Sequence, residues 1–150
     1  MIIGIDNYTQ FPRLRGAVAD ADEVRKYLER DLGVPDCHIR NLRNEQATRE
    51  VIISHFYALQ TDARIQPGDA LFIYYAGHGG TIKAPQDWET GDLDNKIQMI
   101  VPCDVGESKN DSQVTGIPDR TIGALLDGLA EAKGDNIVCF GHTFLTSYLS

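Results

Sequence analysis

The sequence contains no apolar run long enough to cross a membrane. A spanning helix needs about 20 consecutive apolar residues, whereas charged residues make up 24% of the 150 residues and are spread along them. The opening residues 1–6 also lack the basic region and long apolar stretch of a signal peptide. We therefore expect a cytoplasmic protein with no membrane partner.

Cysteine and positive charge are both scarce. The three cysteines, Cys37, Cys103 and Cys139, are far apart, and an odd number without paired spacing argues against a disulfide framework or a zinc cluster. Fourteen Lys and Arg residues face 22 Asp and Glu residues, which gives a net charge of −8. Such a surface repels a phosphate backbone, so we expect no nucleic-acid partner, whereas a basic peptide would suit it.

Apolar patterning along the chain is typical of an α/β domain. Helical spacing begins at Ala17, Thr48 and Pro118, and the short apolar runs predict strands at 1–5, 38–42, 70–75, 97–101 and 136–140. The alternation of the two predicts a three-layer α/β/α sandwich with a mostly parallel sheet. The length allows one domain, 1–150.

His78 is the first candidate for chemistry. It follows the most hydrophobic predicted strand and is flanked by Gly77 and Gly79. In open α/β sheets, sites collect beyond the carboxyl ends of the strands, and we expect the glycines to allow positive φ and to leave the ring open to a substrate. The alternative is a tight turn that merely exposes an imidazole.

The segment around this histidine, Tyr74 to Gly80, resembles the histidine motif of the caspase-like cysteine peptidases, in particular the fungal metacaspases. Further segments resemble that family in the same order: Gly4 to Tyr8, Leu14 to Ala21, Pro67 to Asp69 and Ile117 to Asp119. The resemblance covers about residues 1 to 137. It implies a caspase-like fold and hydrolysis of peptides or proteins after Arg or Lys by a Cys and His pair.

The resemblance also implies roles for three residues. His78 would be the catalytic histidine, and Gly79 would supply an oxyanion-hole amide. Asp20 matches an acidic position that lines the pocket for the substrate's basic side chain, where a carboxylate would pair with the cation. A carboxylate in the first turn of a helix is also explained by the helix dipole alone.

No metal site is predicted. Asp92, Asp94 and Asp104 invite comparison with the calcium-dependent members of the family, since calcium prefers clustered oxygen ligands. Their spacing matches no defined calcium loop, and a solvated acidic surface explains them. Calcium dependence thus has no support from the spacing, and no cofactor is expected.

The chain departs from the family where the nucleophile is expected. The resemblance implies a D-x-C motif at the end of the next strand, but the sequence reads Val138-Cys139-Phe140-Gly141-His142. Cys139 falls inside the predicted strand, so we expect its thiol to be buried or aimed sideways. We therefore expect no catalysis by this chain, and we hypothesise that the atypical tail 138–150 reflects truncation, alternative splicing or a reading frame lost after Ile137.

Two other functions stay open. One is a non-catalytic caspase-like module that associates with itself or with a complementing C-terminal fragment through an open sheet edge. The other is an unrelated flavodoxin-like or nucleotide-binding domain. The sequence lacks a G-x-x-x-x-G-K-[ST] loop or a G-x-G-x-x-G turn to cradle phosphates, which disfavours the last.

Overall fold

The computed structural model describes residues 1–84, 95–109 and 111–145, with side chains as far as Gly141. Three helices and eight strands occur in these ranges: β1 (Ile2–Gly4), α1 (Ala17–Arg30), β2 (Asn41–Arg43), α2 (Arg49–Thr61), β3 (Leu71–Lys83), β4 (Lys96–Ile100), β5 (Ser108–Lys109), β6 (Ser112–Gln113), β7 (Ile117–Pro118), α3 (Asp119–Lys133) and β8 (Ile137–Leu145). None of the helices in this part of the chain is both long and apolar enough to span a membrane.

The helix starts follow from the local sequence. The Asp6 carboxylate accepts a hydrogen bond from the Ala17 amide at the start of α1, and the Thr48 hydroxyl accepts one from Val51 at the start of α2. Both bonds satisfy amides that have no partner within the helix. Gly134 ends α3 with a φ of +94°, a conformation that favours glycine.

The strands of the main sheet are linked by hydrogen bonds in the order β2-β1-β3-β4-β7, and β8 also pairs with β3. Pairings of β1 with β2 and β3, and of β3 with β8, are parallel, whereas β4 is antiparallel to both β3 and β7. Gly79 aligns with both Ile100 of β4 and Leu145 of β8, so β4 lies on the side of β3 away from β8. That is the side of β1, so β1 and β4 follow one another along the same edge of β3.

The sheet separates two apolar layers. Ile2 packs with Ala21 and Leu28 of α1 on one face, whereas Ile3 belongs to the larger core beneath α2 and α3 on the other. Alternation of successive side chains across the strand explains this division. The predicted α/β/α sandwich is confirmed, with a sheet that is parallel in its centre and antiparallel on the β4 side.

Helix α1 lies unusually close to β1. A Cβ at Gly4 would be 2.6 Å from the Cβ of Ala21 and 2.9 Å from the carbonyl oxygen of Ala17. Glycine is therefore required at this position by close approach, not by its backbone conformation. The contact fixes where the chain leaves the sheet after β1, and so fixes the loop that reaches His78.

Three predicted boundaries were wrong. Residues 38–42 do not form one strand, because a 3₁₀ turn occupies Asp36–His38 and β2 begins at Asn41. The predicted strands 70–75 and 136–140 are both longer, since β3 and β8 pair continuously from Leu71 with Ile137 to Gly79 with Leu145. The apolar run marked only the first part of each strand.

Candidate active site

His78 lies inside β3, where two neighbouring strands leave a gap. The pairing with β1 ends at Ala76, whose carbonyl accepts a hydrogen bond from Ile5, and the pairing with β4 begins at Gly79. The prediction that the strand ends before His78 was wrong, because β3 continues through the glycines. The amide of Val101, the residue after β4, donates to the His78 carbonyl at 3.0 Å, so within the described ranges the gap between the two partner strands leaves only the His78 amide without a strand partner.

The imidazole of His78 is covered by the loop that follows β1. Its exposed fraction is 2%, and its ring centroid is 4.7 Å from that of Tyr8 and 5.8 Å from that of Phe11. This corrects the expectation of an open ring flanked by flexible residues. The aromatic cover excludes water from the imidazole.

The two ring nitrogens of His78 differ in their surroundings. Nε2 lies 2.8 Å from the carbonyl oxygen of Pro12, and because a carbonyl can only accept, Nε2 carries the proton. In the neutral ring, Nδ1 then has the lone pair, and this buried atom has no hydrogen-bond partner among the described residues. The site therefore contains an oriented imidazole with a free basic nitrogen.

The main chain of His78 is held by two tyrosines. The His78 amide donates to the Tyr8 hydroxyl at 2.8 Å, and the Tyr75 hydroxyl lies 2.8 Å from the His78 carbonyl oxygen and 3.0 Å from that of Val101. Burial raises the pKa of Tyr8 to about 12 and that of Tyr75 well above its ordinary value. Both phenols therefore stay protonated at neutral pH.

The glycines around His78 have a different role from the predicted one. Positive φ occurs at Gly33, Gly68, Gly106 and Gly134 among the described glycines, and those of the histidine motif are not among them. A Cβ at Gly77 would instead be 2.6 Å from each of the Tyr8 and Tyr75 hydroxyls. Gly79 is buried within β3, and its predicted oxyanion role stays a prediction.

Asp20 lies on the exposed surface of α1. Its negative charge contributes to the raised pKa of Tyr74, after the larger effect of burial, so the two side chains are near each other. Tyr74 and His78 are four positions apart on one strand and hence share a face of the sheet. Asp20 and His78 therefore belong to the same face, but no contact joins them.

Neither described cysteine near the sheet is placed as a nucleophile for His78. Of the two expected placements of its thiol, buried or aimed sideways, Cys139 does not have the first, since it is exposed; it aligns with Ile73, whereas Phe144 aligns with His78. Cys103 is buried, and burial followed by the negative charge of Asp104 raises its pKa to about 11. Its thiol therefore stays protonated and is a poor nucleophile at neutral pH.

The acidic residues considered for calcium divide into two groups. Asp92 and Asp94 lie outside the described residues. Asp104 is buried, and its two oxygens accept hydrogen bonds from the Arg49 amide at 2.8 Å and the Lys109 ammonium at 3.2 Å. Within the described ranges, no three His, Cys, Asp or Glu side chains are grouped as metal ligands.

Sequence reasoning found His78 but missed its supporting groups. Pro12 acts through its carbonyl, which every residue possesses, so no side-chain signal could have revealed it. Tyr8 lies at the end of the segment Gly4 to Tyr8, which matches the family, and this match was a usable signal. Tyr75 lies in the segment Tyr74 to Gly80 that resembles the histidine motif, but it was given no role beyond that of an apolar strand residue.

Comparison with known proteins gives consistent results. A family model described as "Metacaspase, peptidase C14 domain" matches residues 1–132. Metacaspase-1 of Mycosarcoma maydis is 36% identical over 110 residues, covering 69% of the chain and 26% of that protein. Metacaspase-1 of Candida glabrata is 30% identical over 145 residues, covering 88% and 35%.

One similar solved structure is that of protein GSU0716 from Geobacter sulfurreducens. It has a TM-score of 0.65 and 17% identity, and the match covers 96% of the chain and 48% of that structure. At this identity the likeness shows the fold alone. The chain thus spans about a quarter to a third of the two curated relatives and about half of the solved structure.

Proposed function

The chain belongs to the metacaspase family of caspase-like cysteine peptidases, and we propose that it carries the histidine part of an endopeptidase site that cleaves proteins after Arg or Lys. Family membership implies peptide or protein substrates. The observation that carries the proposal is the imidazole of His78, with Nε2–H held by the Pro12 carbonyl and Nδ1 left without a partner in the described structure. We place this domain in the cytoplasm.

The arrangement of His78 suits a general base. Because Nε2–H donates its hydrogen bond to the Pro12 carbonyl, Nδ1 has the lone pair, and this atom can accept a proton from a thiol. The resulting thiolate would attack the scissile carbonyl, and the imidazolium would return the proton to the leaving amine. A Gly79 amide would stabilise the oxyanion of the tetrahedral intermediate. The Pro12 carbonyl would stabilise the imidazolium between these two transfers.

Preference for a basic residue rests on Asp20. Its carboxylate is exposed and lies on the face of the sheet that carries His78. Its negative charge contributes to the raised pKa of Tyr74. An exposed carboxylate on that face can pair with the guanidinium or ammonium group of a bound substrate. Asp20→Asn should therefore weaken the binding of Arg peptides more than that of uncharged peptides.

We propose that the chain does not hydrolyse peptides by itself. Phe144 aligns with His78 in β8, and Cys139 lies five positions earlier, a separation of roughly 16 Å at about 3.3 Å per residue. Among the described residues of β8, none therefore places a thiol at the level of His78.

A non-catalytic association module is the second candidate. Among the described strands, β8 pairs only with β3, and Val138 and Phe140 on it are 45% and 57% exposed. An unpaired strand edge beside exposed apolar side chains favours pairing with another chain. Sedimentation at several protein concentrations would test this candidate: a monomer at all concentrations removes self-association.

The peptidase proposal is tested with fluorogenic Arg and Lys peptides, with and without calcium, for the chain beside His78→Ala and Cys139→Ser. We expect no turnover by any of the three. Turnover lost in both variants would overturn the inactivity and would make Cys139 the nucleophile. Turnover that is lost only in His78→Ala would support the role of His78 as the base and would mean that a residue other than Cys139 is the nucleophile.

A further inference from the structure

We infer that Tyr8 and Tyr75 are positioning residues for His78: the Tyr8 hydroxyl replaces the strand carbonyl that the His78 amide lacks, the Tyr75 hydroxyl lies against the His78 carbonyl, and together they set the direction of the ring. This inference rests on the proposed function of His78 as the base. It adds two side chains, neither of which would touch the substrate.

The gap beside β3 leaves the His78 amide without a strand carbonyl, whereas the His78 carbonyl accepts from the Val101 amide at 3.0 Å. The last bond to the β1 side is donated by Ile5 to Ala76, and the ladder with β4 begins at Gly79. The amide of His78 lies between these points and is buried, where an unpaired N–H would cost about 1–3 kcal/mol. The Tyr8 hydroxyl accepts from this amide at 2.8 Å and so takes the place of a strand carbonyl.

The carbonyl of His78 accepts from the Val101 amide at 3.0 Å, and Tyr75 lies against the same oxygen. The Tyr75 hydroxyl is 2.8 Å from the His78 oxygen and 3.0 Å from the Val101 oxygen, to one of which it can donate at a time. The Tyr75 hydroxyl also accepts from the Val101 amide at 3.3 Å. The two phenols thus lie against the amide and the carbonyl of the same residue, His78.

Gly77 makes this arrangement possible. A single Cβ there would be 2.6 Å from both hydroxyls, closer than real Cβ atoms come to neighbouring heavy atoms. The absence of a side chain at Gly77 therefore leaves room for the hydroxyls of Tyr8 and Tyr75. This explains a glycine in an extended strand, where it otherwise weakens the structure.

Tyr8 connects the main chain of His78 to its ring. The phenol ring of Tyr8 packs against the imidazole at 4.7 Å, and Pro12, four residues later in the same loop, accepts from Nε2. One loop therefore sets the amide, the ring plane and the protonated nitrogen. Removal of the Tyr8 hydroxyl should loosen the loop and allow the proton to move between Nε2 and Nδ1.

The test uses nitrogen-15 NMR on the full chain, with His78→Ala to assign the ring signals among the four histidines. In the unaltered chain we expect one tautomer with the proton on Nε2 and a slowly exchanging His78 amide. Tyr8→Phe and Tyr75→Phe should each give a mixture of tautomers and amide exchange at least about tenfold faster. Tyr57→Phe, at a tyrosine that is 56% exposed on α2, is the matched control and should change neither.

A single Nε2–H tautomer in both variants would overturn the inference, even where amide exchange is faster or the melting temperature falls. If Tyr75→Phe fails to fold, Tyr8→Phe decides alone, because Tyr8 is only partly buried. Neither readout needs turnover. A failed peptidase assay therefore removes the proposed function without affecting this result, and an unchanged tautomer removes the positioning role without affecting the peptidase proposal.

Discussion

Cys139 lies opposite Ile73 in the parallel pairing of β8 with β3, five positions before the level of His78. Partial burial raises the pKa of its thiol above the ordinary value, although the residue is exposed. A catalytic cysteine has the opposite character, since a neighbouring imidazolium lowers the pKa of its thiol. The position and the acidity of Cys139 therefore agree that it is not the partner of His78.

Alkylation of Cys139 should be slow and independent of His78. At pH 7 we expect iodoacetamide to modify Cys139 more slowly than free cysteine, because less of the thiol is ionised. His78→Ala should change the rate by less than about twofold. Peptide mapping by mass spectrometry measures the rate, with exposed Cys37 as a reference in the same molecule. Fast modification that requires His78 would contradict the prediction.

Gly77→Ala should destabilise the protein. The added methyl would overlap the hydroxyls of Tyr8 and Tyr75, and overpacking of this kind costs typically about 1–3 kcal/mol. Urea unfolding measures the loss. Gly123→Ala in α3 is the control, since its Cβ would meet nothing within 4 Å and alanine favours a helix by about 0.5–1 kcal/mol. Equal effects of the two substitutions would refute the argument.

Stability should fall at alkaline pH through Tyr8. Burial raises its pKa from 10 to about 12 in the folded protein, so the folded state holds the proton more tightly than the unfolded state. The contribution is complete below pH 10 and is lost as the pH rises toward 12, with a slope of up to about 1.4 kcal/mol per pH unit. Urea unfolding between pH 8 and 12 measures it. Tyr8→Phe should flatten the slope and Tyr57→Phe should not.

Asp104→Asn should weaken the start of α2. The buried carboxylate accepts from the Arg49 amide and from Lys109, and an amide side chain keeps only part of this acceptor capacity. We expect a loss of about 1–3 kcal/mol in the free energy of unfolding. Lys109→Ala removes only the exposed partner and should cost less than about 1 kcal/mol. Thermal unfolding of both variants measures the two losses of stability. A larger loss for Lys109→Ala would contradict the prediction that the Arg49 amide is the more important partner of Asp104.

The sequence predicted the layers because they depend on local patterns. The periods of apolar residues around Ala17 and Leu125, the Thr48 cap and the Gly134 stop are visible in a few neighbouring residues, and the structure contains each of them. The strand containing His78 was cut short because Gly77, Gly79 and Gly80 look like a turn when read alone. Pairing of Gly77 and Gly79 with residues of β8, and of Gly80 with Met99 of β4, keeps them extended.

The candidate site was predictable only in its histidine. The environment of His78 depends on Pro12 and Tyr8, which are 66 and 70 positions away in the sequence. Such contacts are set by the fold and leave no periodic signal. The prediction of an open imidazole was therefore wrong, although the family motif identified His78 itself.

The position of β1 has a consequence for how the domain forms. This strand of three residues lies between β2 and β3, and its register with β3 joins Ile2 to Tyr74. During synthesis β1 cannot pair with β3 until about 70 further residues have left the ribosome. Such long loop closure slows folding and prolongs the exposure of apolar segments. Newly made chains should accordingly depend on chaperones until β3 emerges.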